Sequence, residues 1–162
     1  MNIGIFSGSF NPIHIGHLIL AHYIAEFTEI DEVWFLISPQ NTLKEKSELL
    51  DENIRYEMVK LALEKYNKLK ACDFEFSLPK PSYTVDTLNA LHAQYPEHNV
   101  ILIIGADNWS LFEDWWEHDK IVENYKLKVY PRVGSGISIP KKMKQNVEAL
   151  DSKIIERSST FI

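Results

Sequence analysis

Asn2-Ile3-Gly4-Ile5-Phe6-Ser7-Gly8-Ser9-Phe10-Asn11-Pro12-Ile13-His14-Ile15-Gly16-His17 lies at the head of the chain. Asn2 to Phe6 reads as a short buried strand, and Ser7 to Pro12 carries the glycine, asparagine and proline of a turn. A helix is predicted from about Ile13 to Phe27, with Leu18, Ile19, Ala21, Ile24 and Ala25 on its apolar side. Strand, turn and helix in this order form the first half of a parallel strand crossover.

The rest of the chain repeats that alternation. Glu32 to Ile37 is a second strand, closed by Ser38-Pro39. A polar loop through Lys44 and Lys46 leads to a helix from about Glu52 to Lys68, where Ile54, Met58, Leu61 and Ala62 recur at helical spacing. Ala71 to Phe76 is a third strand candidate. Thr84 to Gln94 reads as a helix with Val85, Leu88 and Leu91 on one side. Asn99 to Ile104 is a continuous apolar run ending at Gly105, and Lys126 to Tyr130 and Lys153 to Glu156 are further short strands. The fold class is therefore α/β: a doubly wound, Rossmann-like parallel sheet with helices on both faces.

The chain has 162 residues, 45% hydrophobic and 25% charged, which suits one domain spanning 1–162. No internal repeat, low-complexity tract or long linker divides it. No apolar stretch is long enough to span a bilayer, and no basic, apolar leader opens the chain, so neither membrane nor export is expected and the cytoplasm is the compartment. Cys72 is the sole cysteine, which excludes an internal disulfide and a cysteine-built metal site. A formal net charge of -6 argues against broad nucleic-acid binding but leaves room for a small anionic ligand held by aimed donors.

In such sheets ligands collect beyond the carboxyl ends of the strands, near the switch in strand order. Chemistry is therefore expected in the loops after Phe6, Ile37 and Ile104. In the first, Gly8 permits close backbone approach, and the following helix N-terminus offers free N–H groups to an anion. Pro12 suits that first turn, where its missing N–H costs nothing. His14 and His17 stand three apart and share one side of a helix, and Gly16 leaves space above it. Two imidazoles there make a phosphate clamp. The plainer reading is a pair of half-exposed histidines on an amphipathic helix. It is set against the context of a strand and a Gly-Ser turn, which is what phosphate binding requires. Zinc would need a third ligand that is not evident nearby. A dehydrogenase-type loop would need G-x-G-x-x-G.

Three further blocks carry candidate side chains. Asp107, just past a buried strand, can accept hydrogen bonds from a ligand's hydroxyls, and Gly105 clears room beside it. Trp115 offers a flat π-face on which a planar ring can stack. Of Trp109, Trp115 and Trp116, one is expected in the core, Trp109 first. Thr84 is placed to cap a helix and Asp86 to answer its dipole.

These residues carry a resemblance. GSFNPIHIGH (8–17) resembles the loop G-x-F-D-P-x-H-x-G-H of the HxGH nucleotidyltransferases. Asn11 replaces the usual Asp, keeping a cap and losing a charge. SYTVDT (82–87), IGAD (104–107) and DWW (114–116) are similar, in order, to blocks of the bacterial nicotinate-nucleotide adenylyltransferases. The resemblance covers most of the chain. It implies transfer of AMP from ATP to nicotinate mononucleotide, giving deamido-NAD and pyrophosphate in NAD biosynthesis. It implies His14 and His17 as the catalytic phosphate ligands. Gly8, Ser9, Phe10, Gly105, Asp107, Arg132, Ser158 and Ser159 are the further ATP contacts. Lys44, Tyr83, Thr84, Trp115 and Trp116 are the pyridine-mononucleotide contacts. For Lys44 and Arg132 a solvated surface cation is the alternative. Mg²⁺ is expected to arrive with the triphosphate, with no metal ligand from the protein.

Arg157 to Ile162 resembles I-S-S-T-x-I-R, with Arg157 in place of an apolar residue and no final Arg. The helix that this turn opens in the family is thus expected to be truncated. Two other functions stay open. One is a phosphopantetheine adenylyltransferase, which usually has Thr at the place of His14 and lacks the tryptophan pair; a cytidylyltransferase stands further off. The other is a catalytically weak nucleotide-binding module of the same fold, favoured by Asn11 and the missing Arg. Preference between nicotinate and nicotinamide, and oligomeric state, are not legible.

Overall fold

Alternate residues of a strand face opposite sides of a sheet, and here both sets are apolar. Ile3 and Ile5 pack with Val100, Leu102 and Ile104 on one side, and Phe6 packs with Ile101 and Ile103 on the other. The computed structural model describes residues 1–10, 13, 15–39, 50–79, 83–131 and 137–150. The strands are β1 (Asn2–Gly8), β2 (Glu32–Ile37), β3 (Leu69–Cys72), β4 (Asn99–Gly105), β5 (Lys126–Tyr130) and β6 (Val147–Ala149). All pair in parallel, in the order β3-β2-β1-β4-β5-β6. The chain thus starts mid-sheet, builds outward through β2 and β3, and returns to build the other half. The order reverses between β1 and β4.

Helices α1 (Ile15–Phe27) and α2 (Glu52–Ala62) cover one face, burying Leu20, Ala21, Ile24 and Ala25 from the first and Val59 from the second. Helices α3 (Thr84–Gln94) and α5 (His118–Asn124) cover the other with Val85, Leu88, Leu91, Ile121 and Val122. A short helix α4 (Ala106–Trp109) continues directly from β4. This is the doubly wound α/β fold that the alternation predicts. No helix among the described residues is long and apolar enough to cross a membrane.

The structure corrects several element readings. α1 begins at Ile15 rather than Ile13, and α2 ends at Ala62, short of Lys68. The third strand is Leu69–Cys72, and Phe74–Ser77 coils into a 3₁₀ turn instead of prolonging it. β6 lies at Val147–Ala149, which the sequence did not flag; the candidate at Lys153 to Glu156 lies outside the described residues. The largest surprise is the orientation of α2. Ile54, Met58 and Leu61, read as its core side, are 52%, 37% and 65% exposed, while Arg55 and Val59 face inward. An apolar repeat at helical spacing marked the wrong stripe, because a buried arginine does not score as core.

Candidate active site

Because every strand runs the same way, the carboxyl ends of all six share one edge. Gly8 pairs with Ile37 there, and Gly105 with Tyr130. The turn leaving β1 and the turn leaving β4 flank the point where strand order reverses, the crevice that this architecture offers to ligands.

On the β1 side, Phe10 adopts φ 47°, a left-handed conformation uncommon for a bulky residue. Its buried ring folds back over Gly8: a Cβ there would come within 3.2 Å of the ring, so a larger residue at 8 would push the Phe10 ring back by a few tenths of an ångström. Phe10 can thus offer a ligand only its backbone, its side chain being buried in the core. His17, half-buried in the first turn of α1, meets Phe10 edge-on at 5.1 Å and Phe6 at 6.0 Å between ring centroids. Phe6 also packs on Phe35 and on Tyr130 of β5, so one aromatic cluster links β1, β2, β5 and the helix bearing His17. Pro12 and His14 lie outside the described residues, as do Asn11, Lys44, Arg132, Ser158 and Ser159.

On the β4 side, Gly105 ends the strand and Asp107 stands exposed in the first turn of α4. A Cβ on Gly105 would fall 2.7 Å from Asp107 Oδ1 and 2.9 Å from the Tyr130 hydroxyl oxygen. The space that Gly105 clears is therefore taken by those two polar groups, which lean over it together. The carboxylate and the phenol are what the glycine admits.

The helix α3 runs back from this edge, so its N-terminal end lies on it. Tyr83 occupies the cap position with no side-chain cap bond, and Thr84 is the first helical residue, one place later than the expected cap. The Tyr83 and Trp116 rings pair at 5.9 Å, tilted by 39°, and stay 47% and 59% exposed. Trp115 is half-buried against Phe112 at 5.2 Å. Trp109 is the core member of the three: it stacks on Phe112 at 4.9 Å and its Nε1 donates to the Ser138 carbonyl at 3.0 Å. The structure therefore assembles Gly8, Ser9, Phe10 and His17 on one side of the switch and Gly105 and Asp107 on the other. Tyr83, Thr84, Trp115 and Trp116 form a third group.

Two groups near this edge escaped the sequence reading. Arg55, 0% exposed, donates from Nε to Leu50 O (2.8 Å) and from Nη1 to Ser9 O (2.7 Å) and Ser38 O (2.8 Å). Burial pulls its pKa below the usual value, partly offset by the charges of Glu52 and Asp51. Glu75 is buried and accepts from the Thr87 hydroxyl at 2.7 Å; burial pushes its carboxyl up, and the Thr87 bond partly offsets that. An arginine followed by helix-favouring residues gives no signal of burial; an unpaired polar residue inside an otherwise inward stripe would have been the clue. Burial also raises the Cys72 thiol to about 11, so it carries no nucleophile at neutral pH.

Two cavities lie at the opposite, amino edge. One, of 580 Å³, is lined by Asn2, Asn99 and Lys126 among others; the second, of 410 Å³, is lined by Lys126, Lys144 and Glu148. In the first, polar groups pair with one another: Asn99 Nδ2 donates to Asn2 Oδ1 at 3.0 Å and the Tyr125 hydroxyl to Asn89 Oδ1 at 2.6 Å. The histidine, the left-handed turn and the exposed rings converge on the carboxyl edge instead.

The chain matches the cytidylyltransferase-like family over residues 5–160. It is 51% identical to a protein of Bacteroides fragilis named "probable nicotinate-nucleotide adenylyltransferase", over 98% of this chain and 79% of that protein. A protein of the same name from Cytophaga hutchinsonii is 49% identical over 100% of this chain and 84% of its own length. Among solved structures, the Plasmodium falciparum nicotinic acid mononucleotide adenylyltransferase complexed with NaAD shares the fold with a TM-score of 0.75. It is 22% identical and covers 98% of this chain and 81% of its own.

Proposed function

We propose a function from one premise: this chain belongs to the cytidylyltransferase-like family and, within it, to the nicotinate-nucleotide adenylyltransferases. It is a nucleotidyltransferase that transfers AMP from ATP to nicotinate mononucleotide, forming deamido-NAD and pyrophosphate in the cytoplasm. The observation that carries this reading is the constellation at the switch in strand order: the strained Gly8–Phe10 turn with His17 beside it, across from Asp107 at the end of β4.

The mononucleotide phosphate is already an anionic nucleophile, so the reaction needs no general base. One of its oxygens attacks the α-phosphorus of ATP in line; a new P–O bond forms as the α–β bridging bond breaks, and its electrons leave with pyrophosphate. Catalysis is then positioning and charge stabilisation. His14, His17, Ser158, Ser159, Arg132 and the backbone of Gly8, Ser9 and Phe10 hold the triphosphate. Asp107 takes the ribose diol beside Gly105. Lys44, Tyr83, Thr84, Trp115 and Trp116 hold the pyridine mononucleotide, its ring against the exposed aromatic pair. Among the described residues no three His, Cys, Asp or Glu side chains converge as a metal cage. Mg²⁺ entering with ATP would neutralise charge on the β- and γ-phosphates.

The test is incubation with ATP, Mg²⁺ and nicotinate mononucleotide, with nicotinamide mononucleotide and phosphopantetheine in parallel. Pyrophosphate and deamido-NAD with the first acceptor are the expected products. Binding of ATP with no pyrophosphate from any acceptor contradicts the reading and favours a non-catalytic nucleotide-binding protein.

A further inference from the structure

Among the described residues Arg55 is one of the largest fully buried side chains, and no acidic side chain lies within ion-pair distance of it. Its charge is spent on main-chain oxygens: Leu50 at the entry to α2, Ser9 in the turn after β1, and Ser38 just after β2. Its Nη2, also buried, has no hydrogen-bond partner. Burying an arginine against neutral acceptors is costly, and an apolar residue of similar volume would pack there without that cost. The two turns it joins are tied by one further bond, Ser38 N–H to Gly8 O at 2.9 Å. One guanidinium therefore spans the phosphate turn and the loop that leads toward Lys44, from behind and out of reach of any ligand.

We infer that Arg55 is a positioning residue for AMP transfer, setting the β1 turn and the β2 loop at a fixed separation so that both substrates are held in register. Its fork of donors suits this, since a rigid plane fixes the mutual placement of its acceptors, which a flexible ammonium does not. The charge also sits behind the Ser9 peptide, polarising a turn whose amides face the triphosphate. This inference rests on the adenylyl-transfer reading, so its test has one readout that does not need turnover.

Arg55→Met and Arg55→Lys are made in the full chain. Each is measured for thermal unfolding, for KM and kcat with ATP·Mg²⁺ and nicotinate mononucleotide, and for hydrogen exchange at the Ser38 amide. In Arg55→Met the Ser38 amide is expected to exchange at least tenfold faster while the amides of β1 and β4 stay protected. KM for both substrates is expected to rise severalfold along with a fall in kcat. Arg55→Lys is expected to fall between the parent and Arg55→Met. A merely structural arginine would lower the active fraction and leave KM unmoved. Parent-like Ser38 exchange with both KM values within twofold overturns the proposal; should Arg55→Met not fold, the same two readouts on Arg55→Lys decide it. Absence of pyrophosphate release from the parent would instead fault the function, leaving the Ser38 exchange to judge Arg55 alone.

Discussion

His17 sits edge-on to Phe6 and Phe10, so its ring has a fixed wall on one side while the residue stays half-exposed. That arrangement limits its rotamers before any ligand arrives, which is what a preorganised donor requires. Replacing it with asparagine keeps some bulk against the two rings but removes the imidazole. His17→Asn is expected to lower kcat by ~10²-fold or more, with an unfolding temperature within a few degrees of the parent; steady-state kinetics beside thermal melts check it, and parent-like turnover contradicts the role. The histidine was legible from its spacing because a strand, a Gly-Ser turn and a helix start are encoded locally. The inward-facing Phe10 and the Asp107–Tyr130 pair over Gly105 were not. They depend on a left-handed turn residue and on a strand register that bring together side chains distant in sequence.

Among the elements, α2 shows most plainly where periodicity misleads. Its inward stripe is Arg55 and Val59, so the apolar residues at the expected spacing lie outside. Leu61→Gln is therefore expected to change stability by no more than about 0.5 kcal/mol, whereas Val59→Ala should cost about 2 kcal/mol; paired urea titrations separate the two, and a large loss at Leu61 contradicts this orientation. The 3₁₀ turn at Phe74–Ser77 delivers Glu75 to Thr87 of α3, fastening the helix whose first residues are Tyr83 and Thr84. Since burial raises the Glu75 pKa in the folded state, its contribution is fullest below the ordinary value of 4.5 and is lost as pH rises through the folded one. Glu75→Gln escapes that loss. Its unfolding temperature is expected to exceed the parent's at pH 7, with the gap closing below pH 4.5; a gap independent of pH contradicts the assignment. Strands β1, β2 and β4 were readable because buried parallel strands are largely apolar runs, and β5 (KLKVY) was readable although two lysines interrupt its apolar residues. β6, three residues long, has no such run and is held by its neighbour.

At the scale of the molecule, parallel order gathers every strand's carboxyl end on one edge, and the winding from β1 outward and back opens a crevice at its centre. The far end of the sheet is fastened by Lys128 of β5, buried between Glu29, ahead of β2, and Glu148 of β6, the latter at 2.9 Å. The Lys128 hydrogen bond holds the Glu29 carboxyl below its ordinary value of 4.5, so the stability it contributes is present above that value and lost as pH falls through the lower folded one. Glu29→Gln is expected to flatten the fall of unfolding temperature below pH 4.5; a variant as acid-sensitive as the parent contradicts the linkage. The doubly wound order follows from strand–helix alternation and was legible, whereas the clamp joining Glu29, ahead of β2, to Glu148 of β6 was not. All of the functional reading rests on the carboxyl edge as the place where ATP binds. The most direct measurement is a crystal structure with a non-hydrolysable ATP analogue and Mg²⁺. The phosphates are expected within hydrogen-bond distance of His17 and the Gly8–Phe10 amides, with the ribose at Asp107. Phosphates lodged at the amino edge, among Asn2, Asn99 and Lys126, would contradict it.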